Sequence, residues 1–351
     1  MALSLKRSPK AAKSVVGLDL DPAHVAAAEV HVNGGIAVKR GAVAALKPGV
    51  LRDGEVADGP ALTSALKDLW AENDLPKGVR LGIANQRIVV RTLDLPPLTE
   101  EKAIDAAVRV EAPDHIPMPM DEAVLDFQTL GPVDTPAGQR TRVVVVAVRR
   151  EMVERYAEAV RDAGLRIEGI DLSAFALVRS MYNKVTDADA GLLYINIAGL
   201  TNVAVTNGEH CLFTRAATGG MGAMVQALAD RRGLTAEHAQ QWLGHVGLAQ
   251  PLDGVEGDPE VVAAARAVLE EGVHQLADTV RNSLNFYRMQ QNATNVERAV
   301  LTGPAVSVAG LSELLATSLG MPVEARTVAL QGDVADAPRL AVAAGLAVAS
   351  I

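Results

Sequence analysis

The 351-residue sequence has little of three things: cysteine, aromatic residues and long apolar runs. Its single cysteine, Cys211, excludes an internal disulfide framework and fits a reducing compartment. Aromatic residues make up only 3% of the chain, so Ala, Val and Leu must fill the core that a 49% hydrophobic composition allows. No apolar run is long enough to cross a bilayer, so the sequence predicts no membrane-spanning helix.

Charge and histidine usage exclude two further classes of function. The net charge of −9 argues against nucleic acid as a main partner. Cys211 lies in an apolar strand pattern, which is more typical of a buried small residue than of a nucleophile.

The basic start, residues 1–13, lacks the apolar centre of a secretory signal and predicts a flexible tail, with contact to anionic lipid as the alternative. Seven histidines show no metal-ligand spacing: His24, His31, His115, His210, His238, His245 and His274.

Two stretches of the sequence resemble each other. Residues 14–30, SVVGLDLDPAHVAAAEV, and residues 192–205, LLYINIAGLTNVAV, each combine an apolar strand, a short turn and a second apolar strand. The repeat predicts two homologous halves that face each other, with a ligand cleft between Asp19 and Asn196. The alternative is a pair of ordinary hairpins in one sheet.

Strands and helices alternate along the rest of the chain. The apolar patterns of residues 79–84 and 88–95 predict strands, and a β-branched run at 141–148 predicts a central strand. Later in the sequence, residues 260–291 predict one long helix and residues 340–349 a terminal helix. The alternation indicates an α/β protein.

Several longer motifs make a family resemblance specific. The most distinctive is LDLPPLTEEKAIDAAVRVEAPDHIPMPMDEAVLDFQTL, which combines an acidic helix, a Pro-rich turn and a strand. With it the sequence resembles the type IV pilus assembly PilM family of the actin-like superfamily, and is also similar to the cell-division protein FtsA. The other motifs that carry this resemblance are GLDLDPAHVAAAEV, VVVVAVRREMVERYAEAVRDAGLRIEGIDLSAFALVR, TRAATGGMGAMVQALADRRGLTAEHAQQWL, NSLNFYRMQQ and LAVAAGLAV.

The resemblance implies an α/β, actin-like (ribonuclease-H-like) fold with two homologous halves and an inserted subdomain of the FtsA and PilM type. Four subdomains follow from it. The first covers residues 14–78 with 169–184 and 335–351, and the inserted small subdomain covers 79–168. The second large subdomain covers residues 190–223 with 299–334, and a helical cap covers 224–298.

The resemblance also implies an ATP site between the two hairpins, where each hairpin of the superfamily usually has Asp-x-Gly. Here Asp19 is kept, but Asp21 and Pro22 follow it. A carboxylate repels phosphate, and proline has no N–H to donate. In the second hairpin Asn196 and Ala198 stand at the Asp and Gly positions.

Other residues of the implied nucleotide site are kept. They are Gly199, Thr201 and Asn202, and also Gly219 and Gly220 at a helix start, for which a plain loop-to-helix turn is the alternative. The adenosine loop is altered as well, because Pro304 follows Gly303 where the family has a glycine run. Arg281 and Ser283 occupy helix positions that contact adenosine in the superfamily, with an exposed helix face as the alternative. We therefore predict a degenerate nucleotide cleft, or pseudo-ATPase, with weak or absent ATP and Mg²⁺ binding and with no catalytic or metal-binding residues.

As to function, the resemblance implies a bacterial scaffold that is not an enzyme and works at the inner face of the cytoplasmic membrane. Its partner would be the cytoplasmic N-terminal tail of a PilN-like inner-membrane protein, and the pilus assembly ATPase and the platform proteins are further candidates. An extended tail would lie in a groove between the first subdomain and the insert. The predicted lining residues are Ile88, Val90, Ile116, Met118 and Met120; the alternative is that Met118 and Met120 fill the insert's own core.

Two other functions stay open. An actin-like ATP-dependent phosphotransferase, such as a small-molecule kinase, is the alternative, and the altered hairpins disfavour it. A filament role like that of FtsA would need a C-terminal membrane-binding helix, and the sequence reaches Ile351 directly after a core helix. Whether the assembly is a pilus or a related secretion system is equally open.

Overall fold

A computed structural model describes residues 15–188, 191–208, 210–290 and 293–348. The predicted tail at 1–13 and the end of the predicted terminal segment, 349–351, lie outside the described residues. The first elements are β1 (Val16–Asp21), β2 (His24–Val32), β3 (Ile36–Ala45), β4 (Leu51–Arg52), β5 (Glu55–Val56), α1 (Gly59–Glu72) and β6 (Gly78–Ile83).

A three-stranded antiparallel sheet with one helix comes next. Its elements are β7 (Val89–Leu95), α2 (Glu101–His115), β8 (Ala123–Thr135) and β9 (Gly138–Arg149), in the strand order β7-β9-β8. Successive side chains of a strand point to opposite faces. On β9, Val143 and Val145 pack with Ile104 and Val108 of α2, whereas Val144 belongs to the core of the first half.

The chain then completes the first sheet and builds the second half. The elements are α3 (Arg150–Asp162), β10 (Arg166–Leu172), α4 (Ser173–Met181), α5 (Lys184–Asp187), β11 (Gly191–Ile197), β12 (Leu200–Asn207), β13 (His210–Thr218), α6 (Met221–Arg232), α7 (Ala236–Val246), α8 (Pro259–Arg288), β14 (Arg298–Thr302), α9 (Leu311–Leu319), β15 (Val323–Ala325), β16 (Ala329–Leu330) and α10 (Ala337–Leu346). Helices α6 to α8 form a cap whose apolar side chains pack with the second sheet.

The two large sheets have the same strand order. The first is β3-β2-β1-β6-β10 with β16 at its β3 edge, and the second is β13-β12-β11-β14-β15. In each sheet the first three strands are antiparallel neighbours, and the next two are added in parallel. This shared order confirms the prediction of two homologous halves and shows that the two hairpins belong to separate sheets.

Small residues let two helices pack closely where the halves join. A Cβ atom built on Gly345 of α10 would overlap the carbonyl of Ala176 on α4, and one built on Gly17 of β1 would overlap the carbonyl of Ala343. Tyr194 and Leu192 of the second sheet are buried in the same core as the first half. The halves therefore share one continuous apolar interface, built mainly from the small aliphatic residues that the composition provides.

The strand pairing corrects the predicted boundaries of the insert. β6 lies between β1 and β10, with Leu81 in register with Leu18 and Ile170, so it belongs to the first sheet. Helix α3 packs on α1, where the Thr63 hydroxyl donates to the carbonyl of Ala159. The predicted range 79–168 was therefore too wide, and the separate sheet of the insert covers residues 89–149. The rest of the four-subdomain division stays a prediction.

Candidate functional site

The turns of the β1–β2 and β11–β12 hairpins meet where the cleft was predicted. Asp21 Oδ1 accepts hydrogen bonds from the backbone N–H of Gly199 at 2.8 Å and of Ala23 at 2.9 Å. Asp21 Oδ2 accepts a third from the N–H of Leu200 at 3.1 Å. A side chain of the first hairpin thus closes the predicted cleft by binding the backbone of the second.

Asp19 lies on the same strand, two residues before Asp21, and is also buried. Its Oδ1 lies 3.4 Å from the hydroxyl of Ser173 at the start of α4, within the first half. Burial, together with the negative charge of Asp21, raises the pKa of the Asp19 carboxyl to about 7. Two carboxyl groups this close together disfavour a polyphosphate at this point.

The predicted site residues of the second half lie close together and contact one another. The Thr201 hydroxyl donates to the carbonyl of Gly219 at 2.7 Å. Gly303 has a φ of 86°, which favours glycine, and a Cβ atom there would overlap Asn196 Oδ1. The Asn196 side chain therefore fills the space beside the predicted adenosine loop. Likewise, a Cβ atom on Gly220 would overlap the carbonyl of Ala198.

Two turn amides of the predicted nucleotide cleft already have an acceptor. The N–H groups of Gly199 and Leu200 already donate to Asp21, and Pro22 has no N–H. Among the described residues, no group of three or more His, Cys, Asp or Glu side chains is placed to hold a metal ion. The hairpin residues therefore form a direct contact between the two halves.

The two residues on α8 that were predicted to contact adenosine bond to other residues of the protein. Arg281 pairs with Asp278 at 2.5 Å and donates to the carbonyl of Ser318. The Ser283 hydroxyl is buried and donates to the carbonyl of Thr279. A cavity of about 220 Å³ lies between α6 and α8 beside Gly219, but neither of the two predicted contacts lines it.

The five predicted partner-binding residues lie on two faces of the insert's sheet. Ile88 and Val90 pack into the core of the first half. Ile116, Met118 and Met120 pack into the insert's own core beneath α2. The sheet therefore separates the two candidate linings, and only the set with Ile88 and Val90 faces the first half. That any of these residues binds a partner stays a prediction.

A buried carboxylate that no sequence pattern predicted lies at the link between the halves. Asp187 of α5 bonds Arg326 at 2.6 Å, Arg298 at 2.9 Å and the Tyr194 hydroxyl at 3.1 Å. Burial acts to raise the pKa of Asp187, but the hydrogen bonds, first of all from Arg326, outweigh it and hold this pKa well below its usual range. These bonds hold the linking segment to the second half. No local sequence motif predicts them, because Arg298 and Arg326 lie more than 100 residues after Asp187.

Two further predictions can be compared with the structure. Cys211 is buried on β13, and burial raises the pKa of its thiol to about 12, so it is the predicted buried small residue. Within the described ranges, the structure contains no helix that is both long and apolar enough to span a bilayer.

Solved structures similar to this chain share its fold. EutJ, the ethanolamine utilization protein from Carboxydothermus hydrogenoformans, is 17% identical with a TM-score of 0.54, and the match covers 97% of this chain and 91% of EutJ. MreB5 of Spiroplasma citri bound to ADP is 12% identical with a TM-score of 0.53, covering 95% and 94%. At these identities the similarity shows the fold alone, and that fold is actin-like.

Two further comparisons show the family. A structure of a PilM-PilN type IV pilus biogenesis complex contains a chain 28% identical to this one, with a TM-score of 0.77, and the match covers 95% of this chain and 98% of that chain. A sequence profile described as type IV pilus assembly protein PilM matches residues 17–351. The match spans both halves, the insert and the cap, and so the chain belongs to the type IV pilus assembly protein PilM family.

Proposed function

We propose that this protein is an actin-like scaffold of a type IV pilus, or related secretion, assembly platform at the inner membrane. It binds the cytoplasmic tail of a PilN-like membrane protein and reaches the inner face of the cytoplasmic membrane through that partner. The observation that carries the proposal is the similarity, over 95% of the chain, to a structure of a PilM-PilN complex. The carboxylate of Asp21 at the hairpin amides supports a role that needs no ATP turnover.

The proposed groove lies on the face of the insert's sheet that bears Val90. Strand register places Thr92, Val144 and Gln128 in one row across that face. Val144 is buried, whereas Thr92 and Gln128 are exposed at the two edge strands. Leu130 is partly buried and packs against the first half's core on the same side. An exposed strand edge with apolar neighbours suits an extended peptide that binds through main-chain hydrogen bonds.

A second groove offers another position for the same tail. It lies between α1 and α3, has a volume of about 750 Å³, and mixes apolar residues with both signs of charge. Thr63 and Lys67 of α1 line one wall, and Arg155 and Glu158 of α3 line the other. Because α3 follows the last strand of the insert, both grooves border the joint between the insert and the first half.

The test is calorimetry with a synthetic peptide of the PilN-like protein's cytoplasmic tail. We expect Thr92→Arg and Leu130→Asp to weaken binding at least about tenfold, equivalent to roughly 1.4 kcal/mol, because they change the groove face. The matched control is Val110→Asp, since Val110 is 74% exposed on α2, across the sheet from the groove, and its replacement should leave binding unchanged.

Three other outcomes decide between the positions. Binding that survives Thr92→Arg but is lost in Lys67→Glu would move the tail to the groove between α1 and α3. Binding by a folded variant that lacks residues 89–149 would exclude the insert altogether. If no PilN-like tail binds the intact chain, the scaffold proposal fails and the phosphotransferase alternative must be reconsidered.

A further inference from the structure

Asp21 is a carboxylate buried between the two halves, with only 5% of its surface exposed. A buried carboxylate is costly unless hydrogen bonds replace its lost water. Here Ala23, Gly199 and Leu200 each donate a backbone N–H to it, and His24 Nδ1 lies 3.5 Å from its Oδ1. Hydrogen bonds to an ionised acceptor are stronger than those between neutral groups.

Two of the three N–H donors come from the opposite half. Separating the hairpins would leave the carboxylate with only the N–H of Ala23 and the nearby His24 ring from its own hairpin, and would leave the amides of Gly199 and Leu200 without this acceptor. The fit is also close, because a Cβ atom built on Gly199 would overlap Asp21 Oδ1 and lie 2.9 Å from the nitrogen of Ala23. Glycine at position 199 is thus a requirement of the contact.

We propose that Asp21 is an internal anionic latch, whose carboxylate takes the position that a phosphate would need at the amides of Gly199 and Leu200 and holds the two halves closed without a nucleotide. A carboxylate resembles a phosphate in offering more than one acceptor oxygen to a pair of N–H groups. This inference rests on the contact between the halves and not on tail binding, so the two can fail independently.

The test removes the latch separately from each side. Asp21→Gly deletes the carboxylate, and Gly199→Ala expels it by steric overlap without changing charge. We expect each variant to lower Tm by roughly 5 °C, because two charge-assisted hydrogen bonds between the halves are lost. Since both changes break the same contact, the double variant should lose no more than either single variant.

Opening of the halves is measured directly by electron spin resonance distances. Spin labels on cysteines at Glu72 of α1 and Gln240 of α7 report on the two halves, because both positions are exposed and the native Cys211 is buried. The distance distribution should broaden toward longer values in Asp21→Gly and Gly199→Ala. The apolar interface through α4 and Tyr194 keeps the halves attached, so the variants should remain folded.

Two comparisons make the result specific. Gly222→Ala is the matched glycine control, since a Cβ there would meet only Gly199 Cα at 3.7 Å, an ordinary contact, and it should leave Tm and the distances unchanged. Sodium acetate, compared with sodium chloride at equal ionic strength, should restore part of the Tm of Asp21→Gly by supplying a carboxylate. It should not help the double variant, where the added methyl group fills the site.

The proposal is overturned if Asp21→Gly and Gly199→Ala keep the Tm and the closed distance of the wild type. It is also overturned if their effects add in the double variant, because the two residues would then act independently. Absence of recovery in acetate would show that the amide pair is not an anion site. If Asp21→Gly does not fold, Asp21→Asn, which keeps the shape but loses the charge, takes its place in the same cycle.

Discussion

The two hairpins occupy the same place in sheets of the same order, yet their turns carry opposite chemistry. The first turn presents the Asp21 carboxylate, which accepts hydrogen bonds, and Pro22, which has no N–H to donate. The second turn presents the backbone N–H groups of Gly199 and Leu200, which donate to that carboxylate. Two equivalent elements have thus become acceptor and donor, and each satisfies the other across the joint.

This difference shows that the strand order of a hairpin does not determine which group binds to the amides of its turn. The shared strand order comes from the burial of apolar strands, and the changes at residues 21 and 22 leave it intact. Only the groups at the turns decide whether an external anion or an internal carboxylate meets the amides. Four measurements can break or sharpen the comparison between the halves, beginning with the largest expected effect.

Asp187→Ala should lower the free energy of unfolding by about 3–5 kcal/mol, because it leaves Arg298 and Arg326 without their buried partner. Asp171→Ala in the first half is the matched comparison, since within the described residues Asp171 forms its direct salt bridge with one arginine, Arg179, instead of two, and its loss should cost less. Urea unfolding measures both. Equal losses of unfolding free energy would show that the Asp187 network contributes no more to stability than the single pair of Asp171 and Arg179.

Stability should fall as the pH rises from about 4 to 7 because of Asp19, whose pKa is raised to about 7 in the folded state. The folded protein binds this proton more tightly than the unfolded chain, so the contribution is present below pH 4 and is lost above pH 7. A shift of three pKa units corresponds to at most about 4 kcal/mol. Asp19→Asn should flatten this slope in urea titrations from pH 4 to 8, and an unchanged slope would contradict it.

Placing glycine in both hairpin turns and in the predicted adenosine loop should increase nucleotide affinity. We expect the wild type to bind Mg-ATP with a Kd weaker than about 1 μM, equivalent to roughly −8 kcal/mol. The variant with Gly at positions 21, 198 and 304 should bind about tenfold more tightly, because a repulsive carboxylate and a side chain are removed and a backbone N–H is gained. Calorimetry decides, and wild-type binding below 1 μM would show that the altered residues tolerate the phosphates.

The smallest effect concerns one ion pair in the insert and one in the cap. Arg142 pairs with Asp94 at 2.7 Å in the insert, and Arg231 pairs with Glu271 at 2.6 Å in the cap. All four side chains are partly exposed, so Arg142→Ala and Arg231→Ala should each cost less than about 1 kcal/mol. A larger loss from Arg142→Ala alone would indicate that the insert depends on its outer ion pair.

The repeat of apolar strands around a short turn predicted the two halves, because burial of each hairpin shows in its own residues, but it left two hairpins in one sheet open as the alternative. The insert boundary could not be predicted in the same way. β6 and β7 are both short apolar strands, and only pairing with β1 and β10 assigns β6 to the first sheet. Strand membership depends on partners far away in the sequence.

The candidate site shows the same limit more sharply. The sequence indicated that Asp21 is unsuited to a phosphate cradle, but it could not show that the acceptors of Asp21 meet the amides of Gly199 and Leu200. The pattern on β7 likewise predicted alternating side chains without showing which face α2 would cover. Hence Met118 and Met120 could not be separated from Ile88 before the structure was known.

The contact of Gly17 with α10 has a consequence for synthesis on the ribosome. The second half, from β11 to β15, is a contiguous stretch that holds its own core and can pack as soon as it emerges. The first half needs α10, whose backbone covers Gly17 on the first strand, so its core stays open to water until α10 has been synthesised. Until then β1 and β2 remain exposed to chaperones, and the half that is made first is completed last.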